Sequence, residues 1–399
     1  MKVFLASFTY PPNKDGVSES AMSFAEGLAE RGHEVVVGTG EPEVRGAVYY
    51  GPANPVVERF RIQGGPLHRD GISGEIARYR RFVAEGDFDA LVCLCIDTWP
   101  TFLLKPMLRG FRGRKVMVSH GFSAHHWYPQ RRFPWGLRSW LRGMLFTARA
   151  PGFFRLFDEV VFNSERKDFG RFLDHRIASR IGHPGIRILP NSVDPAFFAA
   201  APGGPRFREA HGLGGSPMFL CVANYSTRKN QQLALRAFAE AAIPGASLVF
   251  IGSEANEHSR ALEELASALP AAPGTVVRVL SGVPRAETIA AFHEAQAFVL
   301  SATEETQPFV LLEAMAAGLP FISTPTGCVD EMPGGITASS SAEIAQAMRT
   351  LASDPALHAK LRTEGLAFAR ANCSRDRSVD LMEEMIGTRQ DGERTVSPA

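Results

Sequence analysis

Twice along this 399-residue chain, short apolar runs of β type alternate with amphipathic helical patterns. Strand-like runs at 3–7 and 34–37 flank a helical pattern over 18–31, in which Ala21, Met22, Phe24, Ala25 and Leu28 recur at helical spacing. Neighbouring parallel strands need a crossover connection, and a helix is the usual one, so this segment reads as a βαβ unit. Further strands are predicted at 90–95, 115–119, 159–163 and 187–189. A second series has strands at 218–223, 247–251, 275–280, 297–301 and 321–323, with helices between them such as 231–242 and 259–269. Terminal helices are predicted at 357–371 and 376–386. The fold class is therefore α/β, with two doubly wound, Rossmann-like parallel sheets.

Between the two series lies PAFFAAAPGGP, residues 195–205, which has the punctuation of a linker. It divides the chain into an N-terminal domain, 1–194, and a C-terminal domain, 195–373, with a terminal helical segment at 374–388 and a polar tail at 389–399 expected to be disordered. Hydrophobic residues make up 45% of the chain and charged residues 21%, enough apolar surface for two cores. The formal net charge of +1 points to no particular partner, but the charges are unevenly placed. Residues 1–190 hold 27 Lys and Arg against 19 Asp and Glu, and the remainder holds 16 against 23.

Five scattered cysteines make neither a disulfide framework nor a metal cluster. Cys93 and Cys95 read as same-face packing positions of one strand, and free thiols suit a reducing cytoplasm. The opening MKVFLASFTYPP reads as a first strand rather than a leader. No run reaches the roughly 20 apolar residues of a membrane span. The expected location is cytoplasmic, soluble or peripheral on the inner face of a membrane.

The chemistry is concentrated in FVLSATEETQPFVLLEAMAAGLPFIST, residues 298–324. A short buried strand is followed by Glu305, then by a helix that Pro308 opens and that Gly318 and Pro320 stop. Glu313 is the only charge between Thr306 and Cys328, on a helix otherwise made of apolar residues. On spacing alone, Glu304 and Glu305 also read as solvated loop acids and Glu313 as a water-facing residue. An isolated carboxylate near the carboxyl end of a parallel sheet suits a hydroxyl-rich ligand, and the helix N-terminus suits a phosphate.

The E-x7-E spacing followed by LLEAMAAGLPFIST resembles the donor site of retaining GT-B glycosyltransferases of the family-four type, the glycosyl transferases group 1. The resemblance covers nearly the whole chain. It implies two Rossmann-like domains facing an interdomain cleft, with the last helix crossing back to the first domain. The activity implied is retaining, metal-independent transfer of a hexose-type unit from a nucleoside-diphosphate sugar to a glycan or lipid-linked acceptor, in bacterial-type surface polysaccharide or glycolipid synthesis. No cofactor is expected, and no nucleic-acid partner.

The resemblance also distributes roles. Glu313 is expected to bind the ribose, and Glu305 the transferred sugar or its positively charged transition state. The amides of Gln307, Phe309 and Val310 are expected to serve the donor. CVANYSTRKNQQLALRAF places Lys229 at the diphosphate, with Asn224 where the family has an Arg and Arg228 as the replacement cation. Gly16, after Asp15, stands at the family's glycine loop. Gly252, Ser281 and Val283 border the nucleotide base. VSHGFSAHHWY places His120, with His125 and His126, on the acceptor side, and Asn163, Ser164, Asn191 and Ser192 lie in family segments near the expected cleft. The alternatives are a sugar-nucleotide epimerase on the same scaffold or a non-catalytic nucleotide-sugar-binding protein. A dinucleotide dehydrogenase is disfavoured because FTYPPNKDGVSES lacks G-x-G-x-x-G.

One stretch carries a further signal. Between Asp97 and Asp158 the chain has eleven Lys or Arg and no acid. Residues 131–155 mix six Arg with Trp135, Trp140, Phe146, Phe153 and Phe154, a composition that suits an anionic membrane surface or, equally, a basic helix packed on its own domain.

Overall fold

The computed structural model describes residues 1–13, 15–42, 53–68, 70–122, 135–165, 173–199, 207–214, 217–270 and 272–387, apart from the side chains of 135–139. The expected disorder of the tail lies outside the described residues. Contacts divide the chain into two compact units, Met1–Pro190 with Arg375–Ala399, and Asn191–Ser374.

The first unit runs β1 (Lys2–Ala6), α1 (Gly16–Glu30), β2 (Glu34–Gly40), β3 (Val56–Phe60), β4 (Ile62–Gly64), β5 (Ile72–Gly74), α2 (Ile76–Glu85), β6 (Ala90–Leu94), α3 (Trp99–Leu104), β7 (Arg114–Val118), α4 (Trp135–Phe154), β8 (Glu159–Phe162), α5 (Asp174–Arg180) and β9 (Ile186–Ile188). Seven of these strands form a parallel sheet in the order β3-β2-β1-β6-β7-β8-β9. β4 and β5 pair separately, antiparallel.

Burial on both faces, with period-two alternation between them, explains why the central strands are largely apolar. Phe4, Leu91, Cys93 and Met117 enter one core with Tyr79, Trp99 and Phe153. Their neighbours Val3, Leu5, Ala90, Val92, Val116 and Val118 enter the core on the opposite face.

The second unit runs α6 (Phe207–Ala210), β10 (Met218–Val222), α7 (Gln231–Ala241), β11 (Ser247–Gly252), α8 (Glu257–Ala268), β12 (Val276–Ser281), α9 (Arg285–Glu294), β13 (Ala297–Leu300), α10 (Phe309–Ala316), β14 (Phe321–Ser323), β15 (Gly335–Thr337), α11 (Ser341–Ser353) and α12 (Pro355–Asn372). Its parallel sheet has the order β12-β11-β10-β13-β14-β15. The final helix, α13 (Arg375–Gly387), belongs to the first unit. There it buries Val379, Met382, Met385 and Ile386 beside the residues of β1, and Arg31 pairs with Asp380 and Glu383 at 2.5 Å.

Four strands went unread in the sequence. β3 carries the charged pair Glu58-Arg59 within VVERF, and β4, β5 and β15 are three residues each, too short for a period to register. Cys95 does not share the β6 face with Cys93. It follows the strand in the left-handed conformation at φ +61°, whereas the Cys93 thiol lies in the core, where burial pushes its pKa up to about 12. The expected linker is ordered at its start: Pro195–Phe197 form a 3-10 turn, and the buried Phe197 ring meets Phe292 edge-on at 5.2 Å.

Candidate donor and acceptor sites

In each sheet the strand order reverses once, at β1/β6 and at β10/β13. Loops leaving neighbouring strands at such a point diverge to opposite faces, which is where open α/β sheets hold ligands. In the second unit β10 leads through Asn224 to a 3-10 turn, Thr227–Lys229, and then to Asn230, whose left-handed φ of +48° redirects the chain into α7. β13 leads through Ser301 and Thr303 to Glu305.

Hydrogen bonds from Thr303 and Ser301 to backbone carbonyls hold these two loops together. The Thr303 amide donates to the Arg228 carbonyl at 2.9 Å, and the Ser301 hydroxyl donates to the carbonyls of Asn230 at 2.8 Å and Lys229 at 3.3 Å. The Lys229 ammonium is thereby placed against the Glu305 carboxylate, and the two form an ion pair with side chains only 18% and 14% exposed. Behind Glu305 its amide donates to Thr326 Oγ1 at 2.8 Å. Gly327, at φ +59°, lets the next segment pass so close that a Cβ would stand 2.0 Å from the Thr306 carbonyl oxygen.

Pro308 sits at the N-cap of α10, and Gly318 ends the helix at φ +68°, followed by Pro320. No side chain caps the α10 N-terminus, whereas α8, α11 and α12 are capped by Asn256, Ser340 and Asp354. Phe309 and Val310 form its first turn and are half-buried. Gln307 is buried, and its side-chain oxygen accepts from the Asn191 amide at 2.7 Å.

Glu313 is not isolated in space, as the sequence suggested. Arg285, the first residue of α9, donates from Nη2 to Glu313 Oε1 at 3.0 Å. The same guanidinium lies 3.6 Å from Asp194 and over the Phe197 ring at 4.9 Å. Arg285 was missed by the sequence reading. A buried carboxylate on an apolar helix demands a partner, and that demand was the available signal, but it does not say where along the chain the partner lies.

The other residues of this unit divide. The Arg228 side chain is exposed, its backbone carbonyl being the part engaged with Thr303. Asn224 is exposed and accepts from the Ser253 amide at 3.4 Å. Gly252 has a packing reason: a Cβ would meet the Tyr225 ring at 2.3 Å, and the Tyr225 hydroxyl donates to the Leu280 carbonyl at 2.6 Å. Ser281 is exposed at the end of β12, and Val283 is half-buried in the loop before α9.

In the first unit the loop expected at the phosphate leads into α1 through Asp15. Asp15 is the N-cap of α1 and accepts from the amides of Val17 and Ser18, both at 3.0 Å, and from Thr9 Oγ1 at 2.9 Å. The amides of Val17 and Ser18, beside the exposed Gly16, thus serve a carboxylate of the chain itself.

His120 follows β7. Its Nε2 is buried without a hydrogen-bond partner, and burial lowers its pKa to about 4, so the ring is neutral at pH 7. Near it the Ser119 hydroxyl donates to the buried Asp174 carboxylate, whose pKa burial raises. Asp97, after β6, is pushed up to about 6, first by burial and then by the charge of Asp174. Asn163 and Ser164 are buried at the end of β8. His125 and His126 lie outside the described residues. No described helix is long and apolar enough to cross a membrane.

Comparison with known proteins places this geometry. Residues 14–197 match Glycosyltransferase Family 4, and residues 216–354 match Glycosyl transferases group 1. A GDP-mannose-dependent alpha-(1-6)-phosphatidylinositol monomannoside mannosyltransferase of Mycolicibacterium smegmatis is 26% identical, covering 97% of this chain and 99% of that one. Among solved structures, sucrose-phosphate synthase from Thermosynechococcus elongatus superposes with a TM-score of 0.71 at 16% identity, covering 96% of this chain and 98% of that one. WaaG, a glycosyltransferase of lipopolysaccharide biosynthesis, does so with a TM-score of 0.67 at 17% identity, covering 97% and 100%. The two matched segments, lying end to end on two Rossmann-like sheets, identify the chain as a glycosyltransferase of the GT-B fold, with a family-four N-terminal part and a group 1 C-terminal part.

Proposed function

We propose that this enzyme transfers a mannosyl or related hexosyl unit, with retention and without a metal ion, from a nucleoside-diphosphate sugar to a lipid-linked glycan acceptor. The observation that carries the proposal is the Lys229–Glu305 pair at the β10/β13 switch point, beside the uncapped N-terminus of α10. The mycolicibacterial relative, a GDP-mannose-dependent phosphatidylinositol monomannoside mannosyltransferase, makes GDP-mannose the first donor to try and a phosphoinositide glycolipid the first acceptor.

A departing diphosphate develops negative charge. Lys229 and the free amides of a helix N-terminus neutralise it without metal. Glu305 then faces the transferred sugar, where a carboxylate stabilises positive charge at the anomeric carbon. Glu313 exchanges Arg285 for ribose hydroxyls. On the acceptor side a neutral His120 offers a hydrogen bond without adding a cation. Retention follows from same-face displacement, the leaving diphosphate accepting the proton of the incoming hydroxyl.

Mass-spectrometric screening of nucleoside-diphosphate sugars with purified protein tests this reading. Transfer that survives EDTA and yields an anomer of unchanged configuration by NMR is expected. Donor isomerised without any acceptor would indicate the epimerase instead, and no turnover of any donor would contradict the proposal.

A further inference from the structure

The large apolar side chains most open to solvent concentrate on one helix. Of the seven among the described residues, Trp140, Leu141, Met144 and Leu145 all lie on α4, exposed by 37% to 51%. At 100° per residue they occupy one side of the helix, with Ala148 exposed among them. Gly143, Ala150, Phe153 and Phe154 occupy the other side and are buried. Phe146 belongs with the buried side, contrary to the reading from composition. Its ring packs against Phe122 at 5.3 Å and Phe102 at 6.4 Å. A surface helix ordinarily turns polar residues outward, and this stretch of α4 turns apolar ones.

Cations border that apolar face. Arg149 lies one turn beyond Leu145 and two beyond Leu141, and Arg142 follows the same edge, its guanidinium fixed by a 2.7 Å bond to the His68 carbonyl. Lys105 and Arg109 stand close by, at the end of α3. Burial lowers the Lys105 pKa, and repulsion from Arg149 and Arg109 lowers it further. The sequence between Asp97 and Asp158 contains no acid. Like charges gathered beside an apolar strip that includes a Trp complement a surface that is anionic outside and hydrocarbon within.

We infer that the outer face of α4, with Arg142, Arg149, Lys105 and Arg109 at its edge, docks the enzyme on an anionic bilayer. The inference rests on the lipid-acceptor reading and adds the surface that brings the enzyme to that lipid. Trp140, Leu141, Met144 and Leu145 enter the headgroup boundary while the cations meet lipid phosphates. Each such cation strengthens binding by about fivefold, an effect that salt screens beyond about 8 Å.

The test is co-sedimentation of the full chain with phosphatidylcholine vesicles, with and without phosphatidylglycerol. Wild type should bind only the anionic vesicles and release as salt rises. Leu141→Glu with Leu145→Glu should abolish binding, and Arg109→Ala with Arg149→Ala should weaken it by about twenty-fivefold, both variants keeping the wild-type melting temperature and affinity for GDP. Equal binding to both vesicles, or to neither, would overturn the inference. So would a wild-type dimer that the paired Glu variant splits while vesicle binding persists, since α4 would then be a subunit interface. Vesicle binding is read without donor, so a failure to bind GDP would strike the donor reading alone.

Discussion

Arg285 and Glu313 meet at 3.0 Å, joining the start of α9 to the one charged side chain of α10. Glu313 is nearly buried while Arg285 is about half in solvent, at 11% and 47% side-chain exposure. The pair therefore offsets the charge of a carboxylate carried on the apolar helix of Leu311, Leu312 and Met315.

Arg285→Ala should destabilise the second unit by about 1–2 kcal/mol, toward the low end for a charged hydrogen bond because one partner is exposed. Adding Glu313→Gln should recover much of the loss, since the carboxylate charge that Arg285 offsets is gone. Thermal unfolding of the two single variants and the double variant measures the coupling. Strictly additive losses would show that the two side chains do not interact.

Lys229→Ala should weaken nucleoside-diphosphate binding by about ten- to a hundredfold and leave binding of the uncharged nucleoside nearly unchanged. Calorimetric titration with GDP and with guanosine separates the two. Arg228→Ala should alter neither, because its side chain is exposed and its carbonyl holds Thr303. A large loss of GDP affinity in Arg228→Ala would restore it as the second cation.

Stability should depend on pH through two groups of opposite sign. The His120 pKa falls from 6.5 to about 4 on folding, so its contribution is complete above 6.5 and is lost as pH falls through about 4. Asp97 rises from 3.8 to about 6, so the fold is favoured below 3.8 and loses that contribution as pH rises through about 6. Asp97→Asn should therefore stabilise the protein at pH 7, by on the order of 1–3 kcal/mol, and change little at pH 3.5. Melting curves at the two pH values check this, and equal shifts at both would place Asp97 in water.

The strand-helix alternation was legible because both sheets are parallel and buried on two faces, which makes β1, β6, β10, β11 and β13 dense apolar runs. β3 was not, because Glu58 and Arg59 break the apolar run at the sheet edge. Within the candidate site, Glu305, Lys229 and Glu313 were legible as candidates from motif and spacing. Their partners were not: Lys229 lies 76 positions from Glu305, and Arg285 lies 28 from Glu313. Those distances are closed by strand order, which no local pattern encodes. The short side chain of Asp15 before a helix was a legible sign of the cap it proves to be.

Steady-state transfer and donor binding measured together on Glu305→Gln and Glu313→Gln test the central claim most directly. Each substitution removes a charge-assisted hydrogen bond, worth about 1.5–3 kcal/mol or ten- to a hundredfold. With Glu313 at the ribose and Glu305 at the reacting sugar, Glu313→Gln should lose donor affinity with kcat largely kept. Glu305→Gln should bind donor nearly as wild type and lose kcat. Normal binding and normal transfer in both variants would contradict the assignment of the donor site.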